Sequence, residues 1–187
     1  MKIITILASP RTDGNTAILL DKFIAGAESS GQEIEKIDLS KIQLNYCDEC
    51  NGCYATSRCV IEDEINGIYD KLDQADVIVL ASPIFFGSVS AQAKTFIDRC
   101  QPHWVKTYLK KVKREKPGRG IFLACGAWEK DTFFKTARVS VDIFFKSLGV
   151  EFSDELFCGG VEKAGDINNN KQKLEEAYKL GERSKVR

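Results

Sequence analysis

The sequence lacks several features that would narrow its chemistry at once. It has no net charge, 27 Lys and Arg balancing 27 Asp and Glu, and a single histidine, His103. Without a global field to draw in a polyanion, a nucleic-acid partner is not expected. His103 sits in "QPHWV" with no orienting partner beside it, and reads as a packing or surface residue rather than a general base. No apolar run approaches the roughly 18 residues of a membrane span, so no membrane partner is expected either. The opening "MKIITILASPRTDGN" carries one Lys and an apolar run of six residues, Ile3 to Ala8 interrupted by Thr5. That is too short for a secretory core, and a cytoplasmic protein is expected. No paired carboxylates or nucleophile–base constellation stands out, and no repeat, low-complexity tract or linker divides the chain.

At 187 residues the chain is expected to form a single domain over 1–187, one that folds without disulfide staples. Cysteine is nonetheless present seven times, and four thiols crowd into "CDECNGCYATSRCVIEDE" at Cys47, Cys50, Cys53 and Cys59. In a reducing compartment such a cluster more often binds metal or does redox work than forms disulfides.

Short β-branched runs alternate with segments of helical period. Strands are expected at 2–9, 33–39, 76–83, 119–126 and 150–158. Helices are expected at 16–31, 63–76, from 90 to 100, at 131–148 and at 168–183. Five strands separated by crossovers of this length argue an α/β fold, a doubly wound parallel sheet covered on both faces, with the cysteine-rich segment 45–62 as an insertion. Ligands of such sheets bind at the carboxyl ends of the strands, which directs attention to the loops after strands one, three and four.

The first of these loops, "SPRTDGNT", offers the hydroxyl and amide groups of Ser9, Thr12, Asn15 and Thr16, a glycine at Gly14 and the N-terminus of a helix. It is neither GxGxxG nor GxxxxGK[ST], so a monophosphate such as that of FMN suits it better than a dinucleotide or a P-loop ligand. An ordinary N-cap at Asn15 or Thr16 is the plain structural alternative. After strand three, Pro83 and Gly87 shape a turn in "SPIFFGSVSAQAKTFIDR". There Ile84, Phe85 and Phe86 cannot all point into the core, and the result is an apolar surface fit for a flat ring.

These two stretches together resemble the NADPH-dependent FMN reductase family, which has the flavodoxin-like fold. The resemblance implies a five-stranded sheet in the order 2-1-3-4-5. It implies an FMN phosphate held by Ser9, Arg11, Gly14, Asn15 and Thr16, and an isoalloxazine ring lined by Pro83, Ile84, Phe85, Phe86 and Gly87. Gly126 and Ala127 stand where the family places a third flavin-side loop, although the richer glycine pattern there is missing. Trp128 beside them reads as a core or interface residue in preference to a flavin-stacking one.

Zinc ribbons set two CxxC pairs far apart so that four sulfurs meet one ion. Here three cysteines share two consecutive two-residue gaps, the CxxCxxC core of bacterial ferredoxin motifs, with Cys59 near enough to be a fourth ligand. On the residues alone a cubane cluster, a zinc ion and free thiols all remain open. The spacing resembles the iron-sulfur flavoprotein branch of the same family, which implies one 4Fe-4S cluster on Cys47, Cys50, Cys53 and Cys59 close to FMN. Cys100, Cys125 and Cys158 are isolated in sequence and read as small buried apolar residues. "EDE" at 62–64 reads as the start of the next helix. The basic stretch "KTYLKKVKREKPGRG" reads as a solvated helical face, with a docking patch for ferredoxin or the phosphate of NADPH as the alternative.

The function these readings imply is an FMN-dependent redox protein in which flavin exchanges two electrons and a 4Fe-4S cluster one. Reduced ferredoxin or NAD(P)H is the donor, and a small molecule or a protein the acceptor. The alternatives are a cluster-free NAD(P)H-dependent FMN or quinone reductase and a non-catalytic flavodoxin-like carrier. A flat site open at one edge, together with the resemblance, implies a homodimer or homotetramer with the ring near the interface.

Overall fold

A computed structural model describes residues 1–184. The strands that are apolar on both faces take the centre of its sheet: β1 (Lys2–Leu7) is buried from Ile3 onward, and β3 (Val77–Phe85) from Val77 to Ala81. Lacking in–out alternation, such runs settle only where helices cover both faces. Between them lie α1 (Asn15–Ser29), β2 (Glu33–Asp38), the single turn α2 (Cys53–Thr56) and α3 (Asn66–Gln74). The chain continues through the two-residue β4 (Ser88–Val89), α4 (Ala91–Arg99), the short α5 (Gln101–Trp104) and β5 (Arg119–Cys125). It ends with α6 (Thr132–Ser147), β6 (Glu151–Cys158) and α7 (Lys171–Glu182).

The five long strands are parallel in the order β2-β1-β3-β5-β6, and β4 folds back antiparallel on the end of β3. This is the expected 2-1-3-4-5 topology. On one face α1 and α7 cover Ile3, Leu7, Val77, Val79, Ile121 and Leu123. On the other, α3, α4 and α6 cover Ile4, Ile6, Ile78, Leu80 and Phe122.

Helix boundaries differ from the expectation where tertiary partners intervene. The helix expected from residue 63 starts at Asn66, and α7 is preceded by a 3-10 turn over Asp166–Asn169. The basic stretch is not a helical face beyond Leu109, where a π-helical turn following α5 ends. Several of its side chains are tied to their own chain, while Lys111 and Lys113 are exposed. Lys106 bonds Asp73 at 2.9 Å and Lys116 bonds Asp76 at 2.7 Å, while half-buried Arg114 donates to the carbonyls of Leu72 at 2.9 Å and Ala75 at 2.5 Å. His103 is a packing residue, buried edge-on to Tyr69 with Nε2 3.1 Å from Asp73.

Helices α1 and α7 cross at glycine. A Cβ on Gly26 would lie 2.0 Å from the Tyr178 carbonyl oxygen, and one on Gly181 would lie 2.0 Å from that of Phe23. Backbone cannot yield as a side chain does, so Gly26→Ala should lower the unfolding free energy by about 2 kcal/mol or more. Urea denaturation measures this, and an unchanged midpoint would show that the crossing tolerates the methyl.

Candidate functional site

The loops leaving β1, β3, β5 and β6 converge at the carboxyl edge of the sheet around a cavity of about 700 Å³. All twelve residues expected from the sequence line it, from Ser9, Arg11, Gly14, Asn15 and Thr16 through Pro83 to Gly87, and Gly126 with Ala127. Their side chains are engaged differently from the expectation, however.

The Ser9 hydroxyl donates to the Arg11 carbonyl at 3.0 Å and accepts from the Arg11 amide at 3.1 Å, closing a local turn. Asn15 does not cap α1. Its amide donates to the Lys163 carbonyl at 2.9 Å and its oxygen accepts from the Ile167 amide at 3.2 Å, so it pins the loop after β6. Thr16 is buried, and its hydroxyl weakly favours the Cys125 thiolate. The N-cap of α1 is Gly14, so no cap side chain occupies the first-turn amides. Those amides have no intrahelical acceptor, and with the helix dipole behind them they favour an anion. Arg11 is exposed on the rim beside them.

At the end of β3 the chain reverses through Phe86 and Gly87, with φ of 50° and 72°. Two left-handed residues match the twist of a tight hairpin, but for a phenylalanine the conformation is strained. Phe86 is nevertheless wholly exposed at the cavity mouth, so burial does not hold it there. The Thr136 hydroxyl donates to the Gly87 carbonyl and holds the turn against α6. Ser90 fixes the other side. Its hydroxyl donates to the Ala8 carbonyl at 2.6 Å and accepts from the Ala93 amide at 3.1 Å, while its own amide donates to Ser82 at 3.0 Å.

Trp128 is not a core residue. It is 65% exposed and packs on Phe133, ring centroids 5.5 Å apart, at the cavity rim. Val161 and Glu162 also line the cavity and escaped the sequence reading. The signal was available, because the fifth strand ends at the same edge as the other three.

A second cavity, of about 370 Å³, is lined by Cys47, Cys50, Cys53 and Cys59, and also by Cys100. The loop that carries the four thiols bends through three left-handed non-glycine residues, Glu49, Asn51 and Ser57. Each such residue costs on the order of 1–3 kcal/mol, and such costs cluster where function demands a shape. Burial pushes the Cys53 thiol up, and its three neighbouring thiols push it further. Among the described residues, no three His, Cys, Asp or Glu side chains are grouped as one metal ion would need them. Phe134 lines the first cavity and Phe144 the second, ten residues or about 15 Å apart along α6.

The neck of the cysteine loop is closed by Arg99, whose side chain is fully buried. It donates to the carbonyls of Asn45 at 2.8 Å and Ile61 at 3.2 Å, one on each side of the loop, and doubly to Asp63 at 2.5 and 3.0 Å. Asp63 also accepts from the Asn45 amide at 3.0 Å, and Glu64 from the Gln43 amide at 3.1 Å. "EDE" therefore clamps the loop instead of starting α3. Burial pushes the Asp63 carboxyl up, but the Arg99 hydrogen bonds and charge outweigh that and hold it below the usual carboxylate range.

Against this geometry the comparisons are consistent. The sequence signature of the NADPH-dependent FMN reductase family matches residues 1–132. The chain belongs to that family, a flavodoxin-like class of flavin-dependent oxidoreductases. It is similar to the iron-sulfur flavoprotein MJ1083 of Methanocaldococcus jannaschii, 35% identical over 98% of this chain and 95% of that protein. An iron-sulfur flavoprotein of Archaeoglobus fulgidus is 40% identical over 59% of this chain, and the match spans only 50% of that relative's length. Among solved structures, the NAD(P)H:quinone oxidoreductase from Methanothermobacter marburgensis aligns with a TM-score of 0.79. That alignment covers 100% of this chain and 97% of the other at 17% identity, a likeness of fold. No helix among the described residues is long and apolar enough to cross a membrane.

Removing one partner of a buried pair strands the other's charge at a cost of about 3–5 kcal/mol. Arg99→Met should lower stability by that order and speed thiol labelling of Cys53 and Cys59; unaltered labelling would show that Arg99 does not close the loop. Because the Asp63 carboxyl is depressed in the folded state, its contribution is full above its unfolded value of about 3.9 and is lost as pH falls through the folded value. Acid titration of Asp63→Asn should accordingly show a weaker loss of stability below about pH 4 than the parent chain.

Proposed function

We propose that the chain holds FMN in the cavity of about 700 Å³ at the carboxyl edge and works as an NAD(P)H-dependent flavin reductase toward a small-molecule acceptor such as a quinone. The observation that carries this reading is the side-chain-free N-cap of α1, opening into a cavity whose far wall is apolar and aromatic. The first-turn amides of α1 and the Arg11 guanidinium would bind the phosphate, while Ser9 and Asn15 hold the loops that shape its seat. The backbone of Pro83 to Gly87 and of Gly126 and Ala127 would take the edge of the ring, and Phe86 and Trp128 would shield its faces from water. Bound FMN supplies the two-electron chemistry; the protein supplies position and a water-poor wall. Family membership and the fold shared with an NAD(P)H:quinone oxidoreductase support the choice of donor. Exposed Phe86 and Trp128 at the mouth would be covered by a second copy in a homodimer or homotetramer.

A second reading rests on the thiol cavity. A single zinc ion needs all four sulfurs about 2.3 Å from one point, whereas a cubane offers each sulfur its own iron. Four thiols around one cavity, with the buried Arg99 Nε lacking any protein acceptor, fit an anionic polynuclear group better than one ion. Cys47, Cys50, Cys53 and Cys59 would hold a 4Fe-4S cluster that supplies one-electron exchange, with ferredoxin as a donor, and the similarity to iron-sulfur flavoproteins supports this.

One anaerobic preparation tests both readings. FMN at one per chain, bleached by NADPH or NADH, is expected. Arg11→Ala should weaken FMN binding by about 10- to 100-fold, the worth of one charge-assisted contact. Bound flavin that neither nucleotide reduces would leave a flavodoxin-like carrier, and failure to bind FMN would end the flavin reading. A 4Fe-4S complement of iron and acid-labile sulfide decides the second reading separately.

A further inference from the structure

Cys125 and Cys158, 33 residues apart in sequence, are direct register partners on the parallel strands β5 and β6. Both side chains lie in the apolar layer between the sheet and helices α1 and α7, so they sit side by side on one face. Neighbouring strands run about 4.7–4.9 Å apart, inside the window of about 4.4–6.8 Å between Cα atoms that a disulfide spans. Each thiol perturbs the ionisation of the other, raising Cys125 and lowering Cys158, and both are free. Three further groups surround them. The Thr16 hydroxyl weakly favours the Cys125 thiolate, the Asn170 amide donates to the Cys158 sulfur at 3.8 Å, and that thiol lies 3.8 Å from the Gly159 carbonyl. Cys125 also lines the large cavity, and Cys158 behind it is fully buried, so the cavity is the way in.

We propose that Cys125 and Cys158 are a redox-active dithiol that a small hydroperoxide, entering through the cavity, converts to an intrachain disulfide. The neighbouring sulfur lowers Cys158 and raises Cys125, and burial pushes both up, so the pair loses its first proton more readily than its second. The N-terminus of α1, where Thr16 sits, adds positive potential. The thiolate sulfur attacks one peroxide oxygen; the O–O bond breaks, hydroxide leaves and is protonated to water, and a sulfenic acid remains. The neighbouring sulfur then attacks the sulfenic sulfur, the S–O bond breaks, and a second water leaves with the thiol proton. Two electrons pass from the sulfurs to the peroxide, and two thiols with one hydrogen peroxide give one disulfide and two waters. Closing the bond removes the thiol that Thr16 contacts at the start of α1, and so couples this chemistry to the ligand seat. That coupling, and protection by ligand, rest on the FMN reading.

Peptide mapping tests the proposal on the full chain. Trypsin places Cys125 in residues 120–130 and Cys158 in residues 147–163, each peptide with a single cysteine. Hydrogen peroxide followed by non-reducing digestion should yield these two peptides linked, with the link absent in Cys158→Ser and reversed by a phosphine reductant. Finding them unlinked under conditions that oxidise Cys47, Cys50, Cys53 or Cys59 would overturn the proposal. Saturating FMN, with binding followed by absorbance, should slow linking at least tenfold. Equal rates with FMN demonstrably bound would overturn entry through the cavity, whereas a chain that links its peptides but never binds FMN would refute the flavin reading alone.

Discussion

A parallel sheet imposes one constraint on everything attached to it. Each strand must enter from the same side, so every connection departs from the same carboxyl edge and must cross a face before the chain pairs again. In this protein the pairings of β1 with β3 and of β3 with β5 bring Ser9, Pro83 and Gly126 to that edge, although they are far apart in sequence. The cavity follows from that geometry. What makes it selective is local: a glycine where α1 needs a cap, and a strained Phe86 where a tight hairpin would ordinarily take glycine or asparagine.

The cysteine loop obeys a different logic. It has almost no regular structure and several unfavourable backbone angles, so something outside it must define its shape. Arg99 does this from the last turn of α4 by binding a carbonyl on each side of the loop and the carboxylate that follows. A buried ion pair is weak as a source of net stability, because desolvation offsets most of the attraction. Its value here is geometric, since one side chain binds three acceptors at once.

The strands and helices were legible from apolar runs and the loops around the cavity from the carboxyl-edge rule, whereas the strand order and the twelve site residues came from the family resemblance. What stayed hidden depends on contacts distant in sequence. Asp63 and Glu64 look like first-turn helix acids until Arg99 and the Gln43 amide claim them. Arg99 carries no signal of its own in the sequence. Asn15 reads as a cap or a phosphate ligand, yet its amide holds Lys163 and Ile167, about 150 positions away. Trp128 reads as a core or interface residue, and the loops around it leave it at a rim, outside the core. Cys125 and Cys158 are unremarkable singly and become a pair only through strand register.

If the start of α1 seats the FMN phosphate, binding must depend on that phosphate. Titrating the chain with FMN and with riboflavin, which differ only by the phosphate, tests it most directly. Two charge-assisted contacts are worth about 3 kcal/mol or more together, so FMN should bind about 100-fold more tightly than riboflavin. Equal affinities would show that the phosphate is not held at α1 and would contradict the account.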